Sequence, residues 1–405
     1  MKYAIILPDG AADEPLAELD GRTVLEAART PALDALARGG QVGTLCTVPA
    51  GYTPGSDVAT LSVLGNDPGE VYSGRAPLEA AARQLPVGPQ DLVFRCNFVT
   101  IADGLMRDFT AGHIAQAQAG RLIAALNDFF ADEPLDFYEG VQYRHLLVLR
   151  EVGELDCGCT PPHDIPDQPV ARHHPRGGDA ARVEAIMDRA RTLLADHEVN
   201  SARRASGENP ATDIWLWGQG RLKRLATLAA RYRLTGASIA AVDLIRGITA
   251  LMGFKQIDVP GATGFLDTDY AGKGAAAVAA LDDADVVCVH IEAPDEAGHL
   301  GDMQEKIRAI EQVDTHVVAP LAEYLRSQGD WRILVAPDHP TPVAKRTHTA
   351  DPPPFLVAGA GIEASGAEGL HERAARASGW HVRRGHELLP AWITSERLGP
   401  SAGKG

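Results

Sequence analysis

The hydrophobic residues of this chain occur in short continuous runs that alternate with segments of helical spacing. Residues 3–7 form the first run, which ends at Pro8-Asp9-Gly10. A continuous run of this length is typical of a strand buried on both faces of a parallel sheet. The same pattern predicts further strands at residues 91–101, 141–150, 214–217, 237–242, 285–290, 331–336 and 355–358. Helical spacing predicts helices at residues 31–40, 56–64, 115–130, 179–197 and 303–327. This alternation indicates an α/β fold, a mostly parallel sheet with helices on both faces.

One part of the chain interrupts the alternation and predicts a second domain. Residues 157–178 are rich in proline, histidine and glycine, as loops are, and the strands on either side of the preceding helix do not continue the βα rhythm. We therefore predict a smaller α+β domain inserted at residues 89–184. It would divide the core into residues 1–88 and 185–398. Residues 399–405 are predicted to form a flexible tail.

Charge and composition exclude several classes of partner. The 405 residues include 38 Lys and Arg against 54 Asp and Glu, a net charge of −16. So acidic a chain does not suit general binding to nucleic acid or to an anionic membrane. A small anionic substrate remains possible if arginines or metal ions overcome the acidic field locally. The start of the chain does not resemble a signal peptide, no apolar stretch is long enough to span a membrane, and the five cysteines are scattered. We therefore expect a cytoplasmic monomer or small homo-oligomer.

Candidate metal ligands follow three of the predicted strands. Ligands in open α/β sheets bind beyond the carboxyl ends of the strands, and carboxylate and imidazole groups suit Mn²⁺ or Zn²⁺. The spacing of Asp295 and His299 also places both on one face of a helical turn. The candidates are Asp9, Asp295, His299, Asp338, His339 and the later His348. Each has an ordinary structural explanation by itself, whereas convergence of three strand ends favours a metal site.

Ser56 is the candidate nucleophile. It follows Gly55 at the start of a predicted helix, where backbone N–H groups and the helix dipole favour negative charge. Metal coordination is one recognised way to activate a serine hydroxyl. An N-cap role for Ser56 is the alternative, and it is compatible with nucleophilic catalysis.

Other catalytic motifs are absent or incomplete in the sequence. It contains neither the G-x-x-x-x-G-K-[ST] motif of a P-loop nor the G-x-S-x-G motif of a nucleophile elbow. The segment 359–364 (GAGIEA) formally matches a dinucleotide fingerprint, but no acidic residue stands at the required later position. Cys157 and Cys159 lack the second cysteine pair of a typical zinc site.

Taken together, these motifs resemble those of the cofactor-independent phosphoglycerate mutases of the archaeal type, in the alkaline phosphatase superfamily. The resemblance covers Asp9-Gly10, Gly55-Ser56-Asp57, the segment 292–299 (EAPDEAGH), Asp338-His339 and His348. The segments 72–80 (YSGRAPLEA) and 94–97 (FRCN) are also similar to that family, so the resemblance runs through nearly the whole chain in order.

The resemblance implies an alkaline-phosphatase-like fold with two divalent metal ions, Mn²⁺ first, with Zn²⁺, Co²⁺ or Mg²⁺ as alternatives. By the family's pattern, Asp295, His299 and His348 would hold one ion. The other ion would be held by Asp9, Ser56, Asp338 and His339. Ser56 would take the phosphoryl group of 2- or 3-phosphoglycerate and return it to the other hydroxyl, and the inserted domain would close to exclude water.

Recognition of the anionic substrate is expected from arginines and histidines of the insertion and nearby loops. The candidates are Arg95, Arg107, His113, Arg144, His163, Asp164 and Arg246. The segment 108–113 (DFTAGH) departs from the more arginine-rich stretch of many family members. In that respect the chain is similar to a bacterial branch proposed to contain homoserine kinases. An ATP-dependent homoserine kinase is therefore the alternative function, ahead of a phosphomonoesterase or a phosphopentose mutase. A non-catalytic binding protein is disfavoured by the complete ligand set.

Overall fold

The computed structural model describes residues 1–399, so the predicted tail lies outside the described residues except for Gly399. The chain forms two compact units. The core unit comprises Met1–Tyr72 and the chain from Arg224 onward, and the second unit comprises Ser73–Lys223.

The strands are β1 (Lys2–Pro8), β2 (Gln41–Leu45), β3 (Leu92–Ala102), β4 (Leu105–Asp108), β5 (Leu135–Val141), β6 (Arg144–Leu149), β7 (Asp213–Gly220), β8 (Gly236–Ile239), β9 (Phe254–Gln256), β10 (Val286–Ile291), β11 (Trp331–Val335), β12 (Pro354–Gly359) and β13 (His381–Val382). The helices are α1 (Val24–Ala27), α2 (Pro31–Gly39), α3 (Ser56–Val63), α4 (Pro68–Val71), α5 (Arg75–Ala82), α6 (Gln116–Phe129), α7 (Ala180–Asp196), α8 (Glu198–Ala205), α9 (Leu228–Tyr232), α10 (Asp243–Leu251), α11 (Tyr270–Asp283), α12 (Ala293–Leu300), α13 (Met303–Val313), α14 (Ala319–Ser327), α15 (Glu372–Ala377) and α16 (Leu388–Thr394). A π-helical turn, Asp314–Val318, joins α13 to α14 within the predicted helix at residues 303–327.

The core unit is built on an eight-stranded sheet of order β13-β2-β12-β11-β1-β10-β8-β9. Neighbouring strands are parallel except where β12 pairs antiparallel with β11 and β2. Successive side chains of a strand point to opposite faces. The consecutive residues Ala4, Ile5, Ile6 and Leu7 of β1 are all fully buried, so both faces of the sheet are covered. The predicted α/β fold with a mostly parallel sheet is confirmed.

The second unit contains an antiparallel sheet in which β4-β3-β6-β5 form a path and β7 also pairs with β3. Its apolar core joins this sheet to α6 and α7. The unit therefore begins before residue 89 and ends after residue 184, the boundaries predicted for the insertion. Helix α7 and strand β7 had been assigned largely to the core. They belong to the second unit because β7 pairs with β3 from Val93 to Val99.

No helix within residues 1–399 combines the length and the apolarity that a membrane span requires.

Candidate active site

The strand order of the core sheet explains why distant residues meet at one edge. Strands β11, β1 and β10 are adjacent and parallel, so their carboxyl ends lie side by side. Asp9 directly follows β1, Glu292 directly follows β10, and Asp338 is the third residue after β11. Three groups of acidic and histidine side chains result, each with ligand atoms close enough to share a metal ion.

Cluster A consists of Asp295, His299 and His348. Asp295 and His299 lie one turn apart on α12, with His299 Nε2 3.2 Å from Asp295 Oδ2, and His348 Nε2 is 3.5 Å from Asp295 Oδ1. The Nε2 atoms of the two histidines are 2.9 Å apart. Burial raises the pKa of Asp295, but hydrogen bonds from His299 and His348 outweigh it and hold that pKa well below its usual range. The same hydrogen bond to Asp295 raises the pKa of His299 to about 9.

The outer ring nitrogens of cluster A show how its histidines are oriented. His299 Nδ1 is 3.1 Å from the carbonyl oxygen of Arg346, and His348 Nδ1 is 3.3 Å from that of Pro54. A carbonyl oxygen only accepts hydrogen bonds, so each Nδ1 donates. Both Nε2 atoms therefore point inward toward the Asp295 carboxylate, where, once deprotonated, they would present lone pairs to a bound cation.

Cluster B consists of Asp9, Asp338 and His339, all fully buried. His339 Nε2 is 3.5 Å from Asp9 Oδ1 and 3.4 Å from Asp338 Oδ2. Within residues 1–399, these two carboxylate oxygens have no hydrogen-bond partner. Burial, reinforced by the charge of Asp338, raises the pKa of Asp9 well above its usual range. Buried carboxylates without a partner are costly, so these residues fit a divalent cation.

Ser56 contacts cluster B from the start of α3. Its Oγ lies 3.2 Å from His339 Nε2. The helix begins at Ser56 itself and Gly55 occupies the N-cap position, so the alternative interpretation of Ser56 as an N-cap residue is wrong. At the first helical position, Ser56 is beside backbone N–H groups that have no backbone partner inside the helix. These groups favour an anion at the hydroxyl, such as a phosphoryl group.

The structure adds two residues to this edge that the sequence analysis had not selected. His290, the fifth residue of β10, directs Nε2 to Asp9 Oδ2 at 2.8 Å, and Glu292 Oε2 lies 3.6 Å from the same Nε2. Burial lowers the pKa of His290 to about 4. Burial, followed by the charge of Asp295, raises the pKa of Glu292 to about 8. Both residues lie at a strand end, the signal that had identified Asp9, and both could have been found by it.

Four of the predicted substrate-binding residues contact aromatic rings of the second unit. The Arg95 guanidinium lies 4.2 Å from the Trp217 ring centroid, and the His163 ring is 5.1 Å from the same ring. The rings of His113 and Tyr143 are 6.1 Å apart, and the Arg144 guanidinium lies 5.7 Å from Tyr143. Phe109 connects the two groups, since its ring is near both Tyr143 and His163. We call these residues the cationic–aromatic face.

The other three predicted substrate-binding residues have different surroundings. Asp164 Oδ1 lies 3.7 Å from His163 Nε2, at the margin of this face. Arg107 pairs with Asp103 and Asp167 at the surface. Arg246 lies in the core unit, where its Nη1 is 2.8 Å from Asp258 Oδ1. The structure thus places both arginines in ion pairs.

A mostly parallel sheet, with carboxylate–histidine clusters beyond its strand ends and a serine beside them, defines an α/β protein with a candidate metal centre at the carboxyl edge of its sheet. The chain is 48% identical over 390 residues to the 2,3-bisphosphoglycerate-independent phosphoglycerate mutase of Methanothrix thermoacetophila, covering 96% of this chain and 98% of the relative. The chain therefore belongs to the 2,3-bisphosphoglycerate-independent phosphoglycerate mutase family.

Two further comparisons agree with this membership. A family model described as 2,3-bisphosphoglycerate-independent phosphoglycerate mutase matches residues 37–200. The solved structure of the cofactor-independent phosphoglycerate mutase from Thermoplasma acidophilum has a TM-score of 0.69 at 26% identity, covering 98% of this chain and 100% of the other. The predicted family and fold are confirmed.

Proposed function

We propose that this protein interconverts 2-phosphoglycerate and 3-phosphoglycerate through a phosphoserine at Ser56, without a bisphosphoglycerate cofactor. The observation that supports it most directly is the contact of Ser56 Oγ with the buried cluster B at a helix start. The name of the Methanothrix thermoacetophila relative supports the same substrate pair. Ser56 Oγ bonds to phosphorus as the bond to the glycerate oxygen breaks. In a second transfer, the other glycerate hydroxyl attacks phosphorus as the Ser56 Oγ–phosphorus bond breaks, so the serine is regenerated and no water is consumed.

Two divalent ions are proposed to occupy the two clusters. Cluster A would hold one, and cluster B together with Ser56 would hold the other. When bound, such ions neutralise charge on the transferring phosphoryl group and lower the pKa of the serine hydroxyl. The mixed carboxylate and imidazole ligands suit Mn²⁺ first, and Zn²⁺, Co²⁺ or Mg²⁺ as alternatives. The inward-facing Nε2 atoms of cluster A and the unpartnered carboxylate oxygens of cluster B support this proposal.

The cationic–aromatic face is proposed to recognise the anionic groups of the substrate. Arg95 pairs with Glu79 at 3.2 Å, and Arg75 and Arg144 act on it as further neighbouring positive charges. Arg95 and Arg75 act on His163 in the same way, beside the opposite charge of Asp164. A group of like charges is stabilised by an anion, and guanidinium groups bind carboxylate or phosphate through paired hydrogen bonds. His113 and His163 are proposed to move protons between the glycerate hydroxyls. Arg107, Asp164 and Arg246 remain weaker candidates.

Replacing Arg144 by methionine is expected to raise the KM for phosphoglycerate by about 10- to 100-fold, the value of one charge-assisted hydrogen bond. Arg144 is exposed and forms no ion pair among the described residues, so its loss leaves no unpaired acid. Steady-state kinetics with each phosphoglycerate measures the effect. Arg121→Met is the matched control, because Arg121 lies on α6, pairs with Glu198 of α8 and is not part of the cationic–aromatic face. An unchanged KM for Arg144→Met contradicts the assignment.

A side-by-side assay tests the proposed reaction. The purified protein with Mn²⁺ is incubated with 3-phosphoglycerate alone and, separately, with ATP and homoserine. We expect 2-phosphoglycerate in the first reaction, detected by ³¹P nuclear magnetic resonance, and no phosphohomoserine in the second. Phosphorylation of homoserine without isomerisation of 3-phosphoglycerate would contradict the proposed mutase activity and favour the kinase activity.

The proposed cellular setting follows from charge and cysteine state. All five cysteines are free, and the net charge is −16. These properties support action in the cytoplasm on a small phosphorylated metabolite, without a nucleic-acid or membrane partner. We propose that the protein works as a monomer or a small homo-oligomer.

A further inference from the structure

Thr341 contacts a candidate ligand of each cluster, although it belongs to neither. It lies two residues after His339 and is fully buried. Its hydroxyl donates a hydrogen bond to Asp295 Oδ1 of cluster A. The same Oγ1 lies 3.3 Å from His339 Nδ1 of cluster B. One side chain therefore bridges the two clusters.

The number of protons on each group decides which atom donates in the two contacts of the Thr341 hydroxyl. A hydroxyl has one proton, and a carboxylate oxygen can only accept, so the Thr341 proton points to Asp295. The Oγ1 lone pairs then face His339, and His339 Nδ1 must be the donor in that contact. Nε2 of His339 is left with a lone pair directed at Asp9, Asp338 and Ser56. Groups that orient metal ligands in this way commonly set ligand basicity and ring orientation.

The main chain holds Thr341 in place from both sides. Its N–H donates to the carbonyl oxygens of Gly10 and Ala12, at 3.3 and 3.2 Å. Its own carbonyl accepts from Lys306 Nζ at 2.8 Å, and that buried ammonium also pairs with Asp13 Oδ2 at 2.8 Å. Lys306 and Thr341 are both fully buried, so these bonds are shielded from water.

Two glycines leave the space that Thr341 needs, Gly10 beside its hydroxyl and Gly298 beside its carbonyl group. A Cβ at Gly10 would stand 2.6 Å from Thr341 Oγ1 and 2.4 Å from Asp295 Oδ1, and Gly10 also has a positive φ of 59°. A Cβ at Gly298 would stand 2.3 Å from the Thr341 carbonyl oxygen. The loop after β1 and helix α12 thus approach Thr341 so closely that neither glycine position has room for a side chain.

We propose that Thr341 is a positioning residue that orders both metal sites, by orienting the Asp295 carboxylate and by fixing His339 with Nε2 as its ligand atom. The inference rests on the proposed function, because it takes clusters A and B as the two metal sites. Thr341 does not touch the reacting atoms. Its role is to keep the two sites at a set separation, so that both can act on one phosphoryl group.

Metal binding by Thr341→Val tests this role without reference to activity. Valine has nearly the shape of threonine but neither donates nor accepts a hydrogen bond. We expect Mn²⁺ to bind about 10- to 100-fold more weakly, measured by competition with a chelating dye. The visible absorption spectrum of the Co²⁺-loaded protein is expected to change, because ligand orientation changes. Thr341→Ser keeps the hydroxyl and is expected to restore both properties.

Thr60→Val is the matched control, since Thr60 is fully buried on α3 and its hydroxyl has no hydrogen-bond partner within residues 1–399. It should bind Mn²⁺ as the wild type does. If the wild type itself binds no divalent ion, the proposed function fails. If the wild type binds and Thr341→Val binds equally well with the same Co²⁺ spectrum, the positioning role is overturned. Should Thr341→Val not fold, Thr341→Ala replaces it, and failure of both to fold would make Thr341 a structural residue.

Discussion

Replacing Ser56 by alanine is expected to reduce phosphoglycerate isomerisation by roughly 10⁴-fold or more, as loss of a nucleophile does in other covalent mechanisms. The physical reason is that the Ser56 hydroxyl is the group at the helix start that faces cluster B. The rate is measured with an assay coupled to consumption of 2-phosphoglycerate. Brief incubation of the wild type with ³²P-labelled substrate should also leave label on the peptide that contains Ser56.

Ser62→Ala provides the control for this experiment. Ser62 lies on the same helix, is buried, and has a hydroxyl without a hydrogen-bond partner in the described part of the chain. Its replacement should leave the isomerisation rate within a few-fold of the wild type. If Ser56→Ala retains more than about one hundredth of the rate, transfer through this serine is excluded.

Removal of divalent metal is expected to abolish isomerisation and to destabilise the core unit. Without a cation, the unpartnered oxygens of Asp9 and Asp338 are buried together. Mn²⁺ at 100 times its Kd should raise the free energy of unfolding by about 2.7 kcal/mol for each occupied site. Urea unfolding followed by circular dichroism, with EDTA or with Mn²⁺, measures the difference.

Asp338→Asn separates the two sites in this experiment. The amide oxygen can still accept from the N–H groups of Gly10 and His339, as Asp338 Oδ1 does. The new amide nitrogen can donate to Asp9, which removes the repulsion between two carboxylates. We therefore expect the metal-free variant to be more stable than the metal-free wild type. Mn²⁺ should stabilise it by about half the wild-type increment. An equal increment in both proteins would show that cluster B does not hold metal.

The alternation of strands and helices could be predicted from the sequence because hydrophobic periodicity is a local property. The predicted strand at residues 285–290 corresponds to Val286–Ile291, and the predicted helix at 179–197 corresponds to Ala180–Asp196. The candidate ligands were found for a related reason. Parallel strands present their carboxyl ends at one edge, so polar residues directly after buried strands converge wherever those strands are neighbours.

The sequence could not show which strands pair, and this limited the domain boundaries. Strand β7 has the pattern of any buried strand, and its pairing with β3 places it in the second unit. The same limit applied to the start of α3. The first helical residue is defined by backbone angles, and the sequence does not show whether Gly55 or Ser56 is the N-cap. Thr341 was missed because a threonine two residues after a ligand has no local signal.

By itself, then, the sequence determined the class of fold, the strand ends that carry Asp and His, and the serine at a helix start. These features depend on periodicity and on motifs whose residues are neighbours in the chain. Tertiary structure decided the membership of the second unit, the link from His290 to Asp9, and the single hydroxyl that joins Asp295 to His339. Those contacts join residues that are far apart in the sequence, and only tertiary packing brings their atoms within hydrogen-bonding distance. The direction of each hydrogen bond is likewise decided only in the folded protein.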